Sequence, residues 1–248
     1  MNKKKSLVDL LIHDLTGPLS IITTTINNLL KKQDRYGQLT ERQKKTLDMI
    51  LRNANKAQGF LHDIIEVYRS EDGIIRSDKI YIQDVLNDAI MDAIEIVDPN
   101  FFDEFICNNA PQDMKEILKS KGIFIYINGR YESSPFIHDR KKIQQILRNL
   151  ITNALKYRKK EVRIRISGDK DLIIAVEDDG SGIPLEKQVD VFKRFLYSNM
   201  KGTVDETGLG FGLSCVKSIV EAIQGSINLK SEEGKGTCFT VQIPPLKD

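Results

Sequence analysis

The sequence predicts an α+β protein in which an N-terminal antiparallel helical hairpin is followed by a two-layer α/β sandwich. Two observations carry this prediction. Apolar residues recur at steps of three and four along the N-terminal part of the chain, which is typical of amphipathic helices. From Lys79 onward, short segments that alternate apolar and polar residues interleave with helical patterns, which indicates a sheet covered by helices on one face.

Composition excludes several classes of protein. The chain has 248 residues, enough for two domains of ordinary size, and a formal net charge of +2, too small to favour nucleic acid or a membrane surface. Apolar stretches stay shorter than the ~18–20 residues that a membrane span needs. Cys107, Cys215 and Cys238 lack the spacing of a metal site and are typical of thiols in a reducing compartment. We therefore predict a cytoplasmic protein, or a soluble piece of something larger.

The hairpin prediction starts with a first helix whose apolar seam runs from Val8 to Leu29. Gly17-Pro18 interrupts the seam, and we expect a kink there because proline removes an N–H and clashes with the preceding turn. A turn over Gln33–Leu39 follows. Thr40, with Gln43 three residues on, forms a capping-box pattern that starts the second helix.

Two such helices leave an apolar stripe uncovered. A second copy of the chain would cover it, giving a homodimeric four-helix bundle, and we favour that interpretation. The alternative is a hairpin that packs on its own C-terminal domain. The polar segment Ser70–Ser77 contains Gly73 and is predicted to be a linker, which places the domains at residues 1–72 and 73–248.

The C-terminal part alternates between strand and helix patterns. The predicted strands are Lys79–Ile82, Ile123–Asn128, Val162–Ser167, Leu172–Glu177, Ser226–Ser231 and Thr237–Ile243. The predicted helices are Ile82–Val97, Asp139–Tyr157, Pro184–Leu196 and Phe211–Ile223. Asp98–Lys121 is predicted to be an irregular or partly helical insertion without an assigned role.

The helix predicted at Asp139–Tyr157 carries a polar face. At 100° per residue, Asn149, Asn153 and Lys156 share one side of the helix, opposite apolar residues that can bury on the sheet. An asparagine carboxamide offers a neutral oxygen to Mg²⁺, which makes Asn149 a candidate metal ligand. An ordinary wet helix face fits the same pattern equally well.

Two glycine-rich segments add to this pattern. Asp178-Asp179-Gly180-Ser181-Gly182 ends a strand, where a carboxylate can accept a hydrogen bond from an amino group and glycines allow a tight turn. Gly208–Gly212 opens a helix, where backbone N–H groups favour phosphate. Each segment alone is a weak signal. Gly234–Thr237 is better interpreted as a hairpin turn.

Taken in order, these motifs resemble the sensor histidine kinases of two-component signalling, from about Leu7 to Pro244. His13-Asp14-Leu15 with Pro18-Leu19 resembles the H box of that family. The remaining boxes are matched by Asn149, Asn153, Lys156 and Tyr157 (N box), by Asp178, Gly180 and Gly182 (first glycine box), by Phe192 and Phe195 (F box), and by Gly208, Gly210 and Gly212 (second glycine box).

The resemblance implies a dimerisation and phosphotransfer hairpin followed by an ATP-binding domain of the Bergerat type, shared with gyrase and Hsp90. It implies ATP with Mg²⁺ on Asn149, a lid at Leu196–Thr207, and a response-regulator receiver as partner. The residues that it implies for nucleotide binding are Asn149, Asn153, Lys156, Tyr157, Asp178, Gly180, Gly182, Ile183, Arg194, Lys201, Thr207, Gly208, Leu209, Gly210, Gly212, Leu213 and Thr237.

His13 is the predicted phosphate acceptor. It lies off the apolar seam, so we expect its ring to be accessible, and neutral imidazole is a good nucleophile near pH 7. Asp14 is placed to accept the proton that the ring releases. Two alternatives stay open: a catalytically weak adaptor of the same fold that regulates a partner kinase by heterodimerising, and a Ser/Thr kinase of the same superfamily.

Overall fold

A computed structural model describes residues 2–70, 75–102, 114–192 and 211–246. In parts of the helices only the backbone is described, and the side chains of residues 2–13 and 62–70 are among those left out. The chain divides into two compact units, one containing the hairpin helices and the other the α/β part. Each unit is described by itself.

The first unit contains α1 (Asn2–Lys31), the short α2 (Gln33–Tyr36) and α3 (Glu41–Ser70). α1 continues through Pro18, which lies inside the helix, and the kink expected there stays a prediction. The predicted capping box is present. The Thr40 N–H donates to Gln43 Oε1 at 2.9 Å, and the Gln43 N–H donates to Thr40 Oγ1 at 3.3 Å. Two backbone donors at the start of α3 are thereby satisfied.

The hairpin buries only part of its apolar surface. Ile26 on α1 and Ala54 and Leu61 on α3 are buried. Several large apolar side chains of the same helices stay exposed, namely Leu15, Ile21, Ile22, Met49 and Ile50. An uncovered apolar stripe, as the sequence predicts, is thus present along these helices.

The second unit is built on a mixed sheet covered by helices. Its strands are β1 (Asp78–Ile80), β2 (Ile123–Ile127), β3 (Phe136–His138), β4 (Val162–Ser167), β5 (Leu172–Asp178), β6 (Ser226–Glu232) and β7 (Gly236–Ile243). Its helices are α4 (Ile82–Val97), α5 (Met114–Ser120), α6 (Arg140–Tyr157), α7 (Leu185–Gln188) and α8 (Phe211–Ala222). The main sheet has the strand order β2-β4-β5-β7-β6, with β2 and β4 parallel and the other pairs antiparallel.

The core lies between the sheet and its helices. α4 packs against α6, and the alternation of β5 places Leu172, Ile174 and Val176 in the interior. The opposite face of the sheet carries charged pairs, including Arg165 with Glu177 at 2.7 Å. The two-layer α+β architecture predicted from the sequence is therefore confirmed.

Two element predictions need correction. The helix predicted at Pro184–Leu196 ends at Gln188 within the described residues, because Leu185 and Val189 are 82% and 73% exposed and provide no packing for a longer helix. The short strand β3 was not predicted. It pairs with β1 in a small antiparallel sheet immediately before α6, and three residues carry too little alternation to be recognised.

No helix in the described part of the chain combines the length and the apolar character that a membrane span requires.

Candidate functional site

The polar face of α6 lies against the first turn of α8. The Asp139 carboxylate caps α6 by accepting from the Lys142 N–H at 3.2 Å. A Cβ atom placed on Gly212 would lie 3.7 Å from Asn149 Oδ1 and 3.8 Å from Asn153 Nδ2. Both carboxamides therefore face the end of the glycine-rich segment, while Leu150 on the same helix is buried in the core.

The Asn149 amide nitrogen is buried and has no hydrogen-bond partner among the described residues. A buried N–H group without a partner costs about 1–3 kcal/mol, so this nitrogen is a donor available to a bound group. A phosphate oxygen would accept from this nitrogen, and the carboxamide oxygen is a ligand type that Mg²⁺ takes.

Asp178 ends β5, and the residue is 8% exposed. Burial raises the pKa of this carboxyl, and the backbone N–H groups of Gly180 and Thr237 act in the opposite direction. The Gly180 N–H donates to Asp178 Oδ1 at 2.9 Å. Thr237 is the neighbour of Asp178 in the β5–β7 register. A carboxylate acceptor is thus fixed beside a hydroxyl in a mostly buried position.

The turn after Asp178 requires glycine for steric reasons. A Cβ on Gly180 would overlap the carbonyl oxygen of Tyr157 at the end of α6. Gly182 has a φ of +70°, and a Cβ there would overlap the carbonyl oxygen of Glu232. The backbone of this turn is therefore packed between α6 and the β6–β7 hairpin, where a side chain cannot fit.

Asp179 ties the turn to the chain that follows α6. Its Oδ1 accepts from the backbone N–H groups of Lys159, Lys160 and Glu161 at 2.8, 2.9 and 3.0 Å. Burial alone would raise the pKa of Asp179, but these donors lower it overall. The second aspartate of the motif is consequently structural, whereas Asp178 borders the glycine turn.

A second group of contacts joins the turn to the β6–β7 hairpin. Ser231 Oγ accepts from the Ile183 N–H at 2.8 Å and donates to the Gly236 carbonyl at 2.9 Å. Gln188 Nε2 donates to the carbonyl oxygens of Ile183 and Ser231 at 2.8 and 3.0 Å. The hairpin predicted at Gly234–Thr237 is confirmed, and its role includes holding the glycine turn.

The remaining predicted residues fall into three groups. Lys156 and Tyr157 lie in the last turn of α6, and Leu213 lies in the first turn of α8. Part of the predicted phosphate site and lid lies outside the described residues, namely Arg194, Lys201, Thr207, Gly208, Leu209 and Gly210. His13 is in α1, where only its backbone is described, and Asp14 is exposed in the same helix.

His138, interpreted from the sequence as a bystander, is fully buried at the end of β3. Its Nδ1 accepts from the Asp139 N–H at 2.8 Å, and its ring stacks on Phe136 with centroids 5.6 Å apart. Burial lowers its pKa from 6.5 to about 4. It therefore stabilises the start of α6 as a neutral side chain.

Sequence reasoning missed Ser231, Gln188 and the structural role of Asp179. Ser231 and Gln188 stand in a strand and a short helix without any motif, so their convergence on Ile183 follows only from the fold. The sequence did contain an indication for Asp179, because a second acidic residue before a glycine is typical of a side chain that hydrogen-bonds nearby backbone groups.

Comparison with known proteins gives a family match over part of the chain. Residues 138–247 match the family described as histidine kinase-, DNA gyrase B- and HSP90-like ATPase. The matched span contains α6, the glycine turn, α8 and the β6–β7 hairpin, which are the elements of the candidate site.

Similarity to sensor histidine kinases extends over nearly the whole chain. The sensor histidine kinase YclK of Bacillus subtilis is 28% identical over 236 residues, which are 94% of this chain and 45% of YclK. The sensor protein CiaH of Streptococcus pneumoniae is 26% identical over 253 residues, 98% of this chain and 50% of CiaH. The resemblance to the core of sensor histidine kinases, predicted from the sequence, is confirmed by these matches.

Solved structures show the same fold. Full-length ShkA in complex with AMPPNP superposes with a TM-score of 0.66 at 20% identity, covering 98% of this chain and 46% of ShkA. The chain spans between a quarter and a half of the length of the curated relatives it matches.

Proposed function

We propose that the chain autophosphorylates on His13 with ATP and passes the phosphoryl group to an aspartate of a response-regulator receiver. The observation that supports this most is the buried, unpaired amide nitrogen of Asn149, whose carboxamide lies beside Gly212 in the span that matches the histidine kinase-like ATPase family. On this proposal residues 1–72 form the dimerisation and phosphotransfer domain and residues 73–248 the ATP-binding domain. The cytoplasmic location stays a prediction.

The phosphate end of the proposed site is α6. The Asn149 carboxamide offers oxygen to Mg²⁺ and its buried amide nitrogen to a phosphate oxygen, and Asn153 lies beside it. When bound, Mg²⁺ neutralises phosphate charge. Lys156, one turn further along α6, supplies a cation on the same face. Arg194, Lys201, Thr207 and the segment Gly208–Gly210 complete the phosphate site in this proposal.

The base end is Asp178 with the turn behind it. An ionised carboxylate only accepts hydrogen bonds, and the amino group of adenine is a donor. Asp178 is buried and held by the Gly180 N–H, so its position is fixed before a nucleotide binds. This preorganisation lowers the entropic cost of binding. Tyr157, Gly182, Ile183, Leu213 and Thr237 are the proposed neighbours of the nucleotide.

The proposed transfer is an in-line displacement. A ring nitrogen of neutral His13 forms a bond to the γ-phosphorus as the bond from that phosphorus to the β–γ bridging oxygen breaks, and ADP leaves. Asp14 accepts the proton that the ring releases. Catalysis rests mainly on positioning and on neutralising charge, as in other phosphoryl transfers.

A homodimer is the proposed assembly. Apolar side chains of α1 and α3, such as Ile21 and Met49, are exposed to water, which is unfavourable. A second hairpin would bury them in a four-helix bundle. The receiver would dock on the phosphorylated hairpin.

Labelling with γ-phosphate-labelled ATP and Mg²⁺ tests the proposal. We expect label that is lost in acid and retained in alkali, as a phosphohistidine requires. His13→Gln should abolish labelling while ADP still binds with the wild-type dissociation constant. Alkali-labile label would indicate a Ser/Thr kinase. ADP binding without any label would favour the adaptor function.

A further inference from the structure

Two buried polar atoms without a hydrogen-bond partner lie one turn apart on α6. Three buried side-chain nitrogen or oxygen atoms lack a partner in the described part of the chain, and two of them are the Asn149 amide nitrogen and the Thr152 hydroxyl oxygen. Thr152 as a whole is only 8% exposed. An unpaired polar atom in a buried position is unfavourable, so each of these two groups is available to a partner.

Thr152 lies on the same side of α6 as the proposed phosphate ligands. Around the helix axis it is about 60° from Asn149 and about 40° from Lys156, at 100° per residue. Leu150 and Ala154, which are buried in the core, lie about 160° away from it. Thr152 is therefore turned away from the sheet, and packing on the sheet does not account for a hydroxyl at this position.

The direction of helical side chains brings the Thr152 hydroxyl towards Asn149. A side chain in a helix tilts towards the N-terminus and covers the turn before its own Cα atom. Residues three positions apart have Cβ atoms separated by about 5–6 Å. Threonine also populates two χ1 rotamers in a helix, so its oxygen can swing without any change in the backbone. The Thr152 hydroxyl can therefore reach the Asn149 carboxamide.

The two groups are also complementary in their hydrogen bonding. A carboxamide nitrogen carries two N–H donors, and a hydroxyl oxygen carries two lone pairs. Asn149 Oδ1 lies 3.7 Å from a Cβ placed on Gly212, and the amide nitrogen lies farther from Gly212 than this oxygen. One N–H of Asn149 can therefore serve a phosphate oxygen and the other the Thr152 hydroxyl, while Oδ1 keeps facing the end of the glycine-rich segment.

We propose that Thr152 is a positioning residue whose hydroxyl accepts a hydrogen bond from the Asn149 amide nitrogen and so keeps Asn149 Oδ1 directed at Mg²⁺ when a nucleotide binds. This inference rests on the proposed nucleotide-binding function. A reversed carboxamide would present N–H groups to the cation, and these cannot ligate it. Thr152 acts through Asn149 and touches neither metal nor phosphate, so its effect is confined to the metal-dependent part of nucleotide binding.

Calorimetric titration of the full chain with ADP, once in Mg²⁺ and once in EDTA, tests the proposal. Thr152→Val removes the hydroxyl and keeps a β-branched side chain of similar size. We expect ADP affinity in Mg²⁺ to fall about fivefold, the effect of one net hydrogen bond, and the affinity in EDTA to keep its wild-type value. Thr152→Ser keeps a hydroxyl and should restore the affinity in Mg²⁺. Equal losses in Mg²⁺ and in EDTA would show a merely structural role and overturn the proposal.

A double-mutant cycle separates positioning from a direct contact. Asn149→Ala removes the proposed metal ligand, so adding Thr152→Val to it should cause no further loss of ADP affinity in Mg²⁺. A full fivefold loss in that background means that Thr152 acts independently of Asn149, and it contradicts the proposal. Thr240→Val is the matched control: it removes a hydroxyl from a half-buried position of β7 and should leave both affinities unchanged.

Urea unfolding without nucleotide checks the premise of an unpaired hydroxyl. Because removal of such a group relieves an unfavourable burial, Thr152→Val should raise the midpoint of unfolding, and a lowered midpoint contradicts the proposal. Thr152→Ala has a higher helix propensity and provides the same titrations if the valine variant does not fold. A wild-type chain that binds no ADP contradicts the proposed function, whereas Mg²⁺-dependent ADP binding that is unaffected in Thr152→Val contradicts the inference alone.

Discussion

The buried histidine at the start of α6 makes stability dependent on pH in a calculable way. His138 is 0% exposed, and burial lowers its pKa from 6.5 to about 4. Between these two values the unfolded chain binds a proton that the folded chain does not. The free energy of unfolding therefore falls as the pH drops through this window, and the loss is complete only below the folded value.

The size of the effect follows from the two pKa values. Protonation of the unfolded histidine destabilises the fold by about 0.4 kcal/mol at pH 6.5 and by about 2.5 kcal/mol at pH 4.5, a difference of about 2 kcal/mol. Other groups titrate in the same range, so the comparison must be made with a variant. His138→Phe removes this contribution, and its free energy of unfolding should be about 2 kcal/mol less sensitive to pH over the same interval.

Urea unfolding at several pH values between 6.5 and 4.5, followed in the wild type and the variant, provides the measurement. Phe136→Leu is a matched control, because it loosens the ring that stacks on His138 but leaves the titrating group in place. It should keep the pH dependence of the wild type. Parallel curves for the wild type and His138→Phe would refute the assignment of a low pKa to this ring.

Three further predictions concern the glycine-rich elements of the site. Gly236→Ala should destabilise the α/β unit by at least about 3 kcal/mol in urea unfolding, because φ is +108° and the added Cβ overlaps the Asp178 carbonyl oxygen. Gly234 has a φ of +83° and open space around it, so Gly234→Ala should lower the free energy of unfolding by only about 1 kcal/mol. Equal losses of stability in Gly234→Ala and Gly236→Ala would contradict the steric argument. Asp179→Ala should lower the free energy of unfolding by about 2 kcal/mol at pH 7 and by less in acid. The pKa of Asp179 is lower in the folded chain than in the unfolded chain. Its stabilising contribution is therefore complete above the unfolded pKa and is lost as the pH falls through the folded pKa. Gly212→Ala should leave thermal stability within about 0.5 kcal/mol of wild type but weaken ADP binding in titration, because its Cβ fits at ordinary contact distances in front of the amide pair.

Much of the fold could be predicted from the periodicity of apolar residues, because regular strands and helices form the core. The strand Val162–Ser167 and the helix Ile82–Val97 were predicted with the bounds that the structure shows, since both carry clear alternation or helical spacing. β3 was missed because three residues cannot display a period, and α7 was predicted too long because Leu185 and Val189 suggest a buried face that the structure leaves exposed.

The candidate site could be predicted where its residues form a sequence motif. Asn149 and Asn153 share a face by helical spacing, and the structure places both carboxamides beside Gly212. Ser231 and Gln188 could not be found this way. Ser231 bonds Ile183 and Gln188, both more than 40 residues away in the sequence, and only tertiary structure brings such positions together.

Transfer of phosphate to one imidazole near the N-terminus is the central step of the proposed function. Tandem mass spectrometry of the chain after incubation with ATP and Mg²⁺, performed under alkaline conditions that preserve phosphohistidine, tests it most directly. The chain contains three histidines. We predict phosphate on His13. Phosphate found instead on His62 or His138, or on no histidine in a chain that binds ATP, would contradict the proposed transfer.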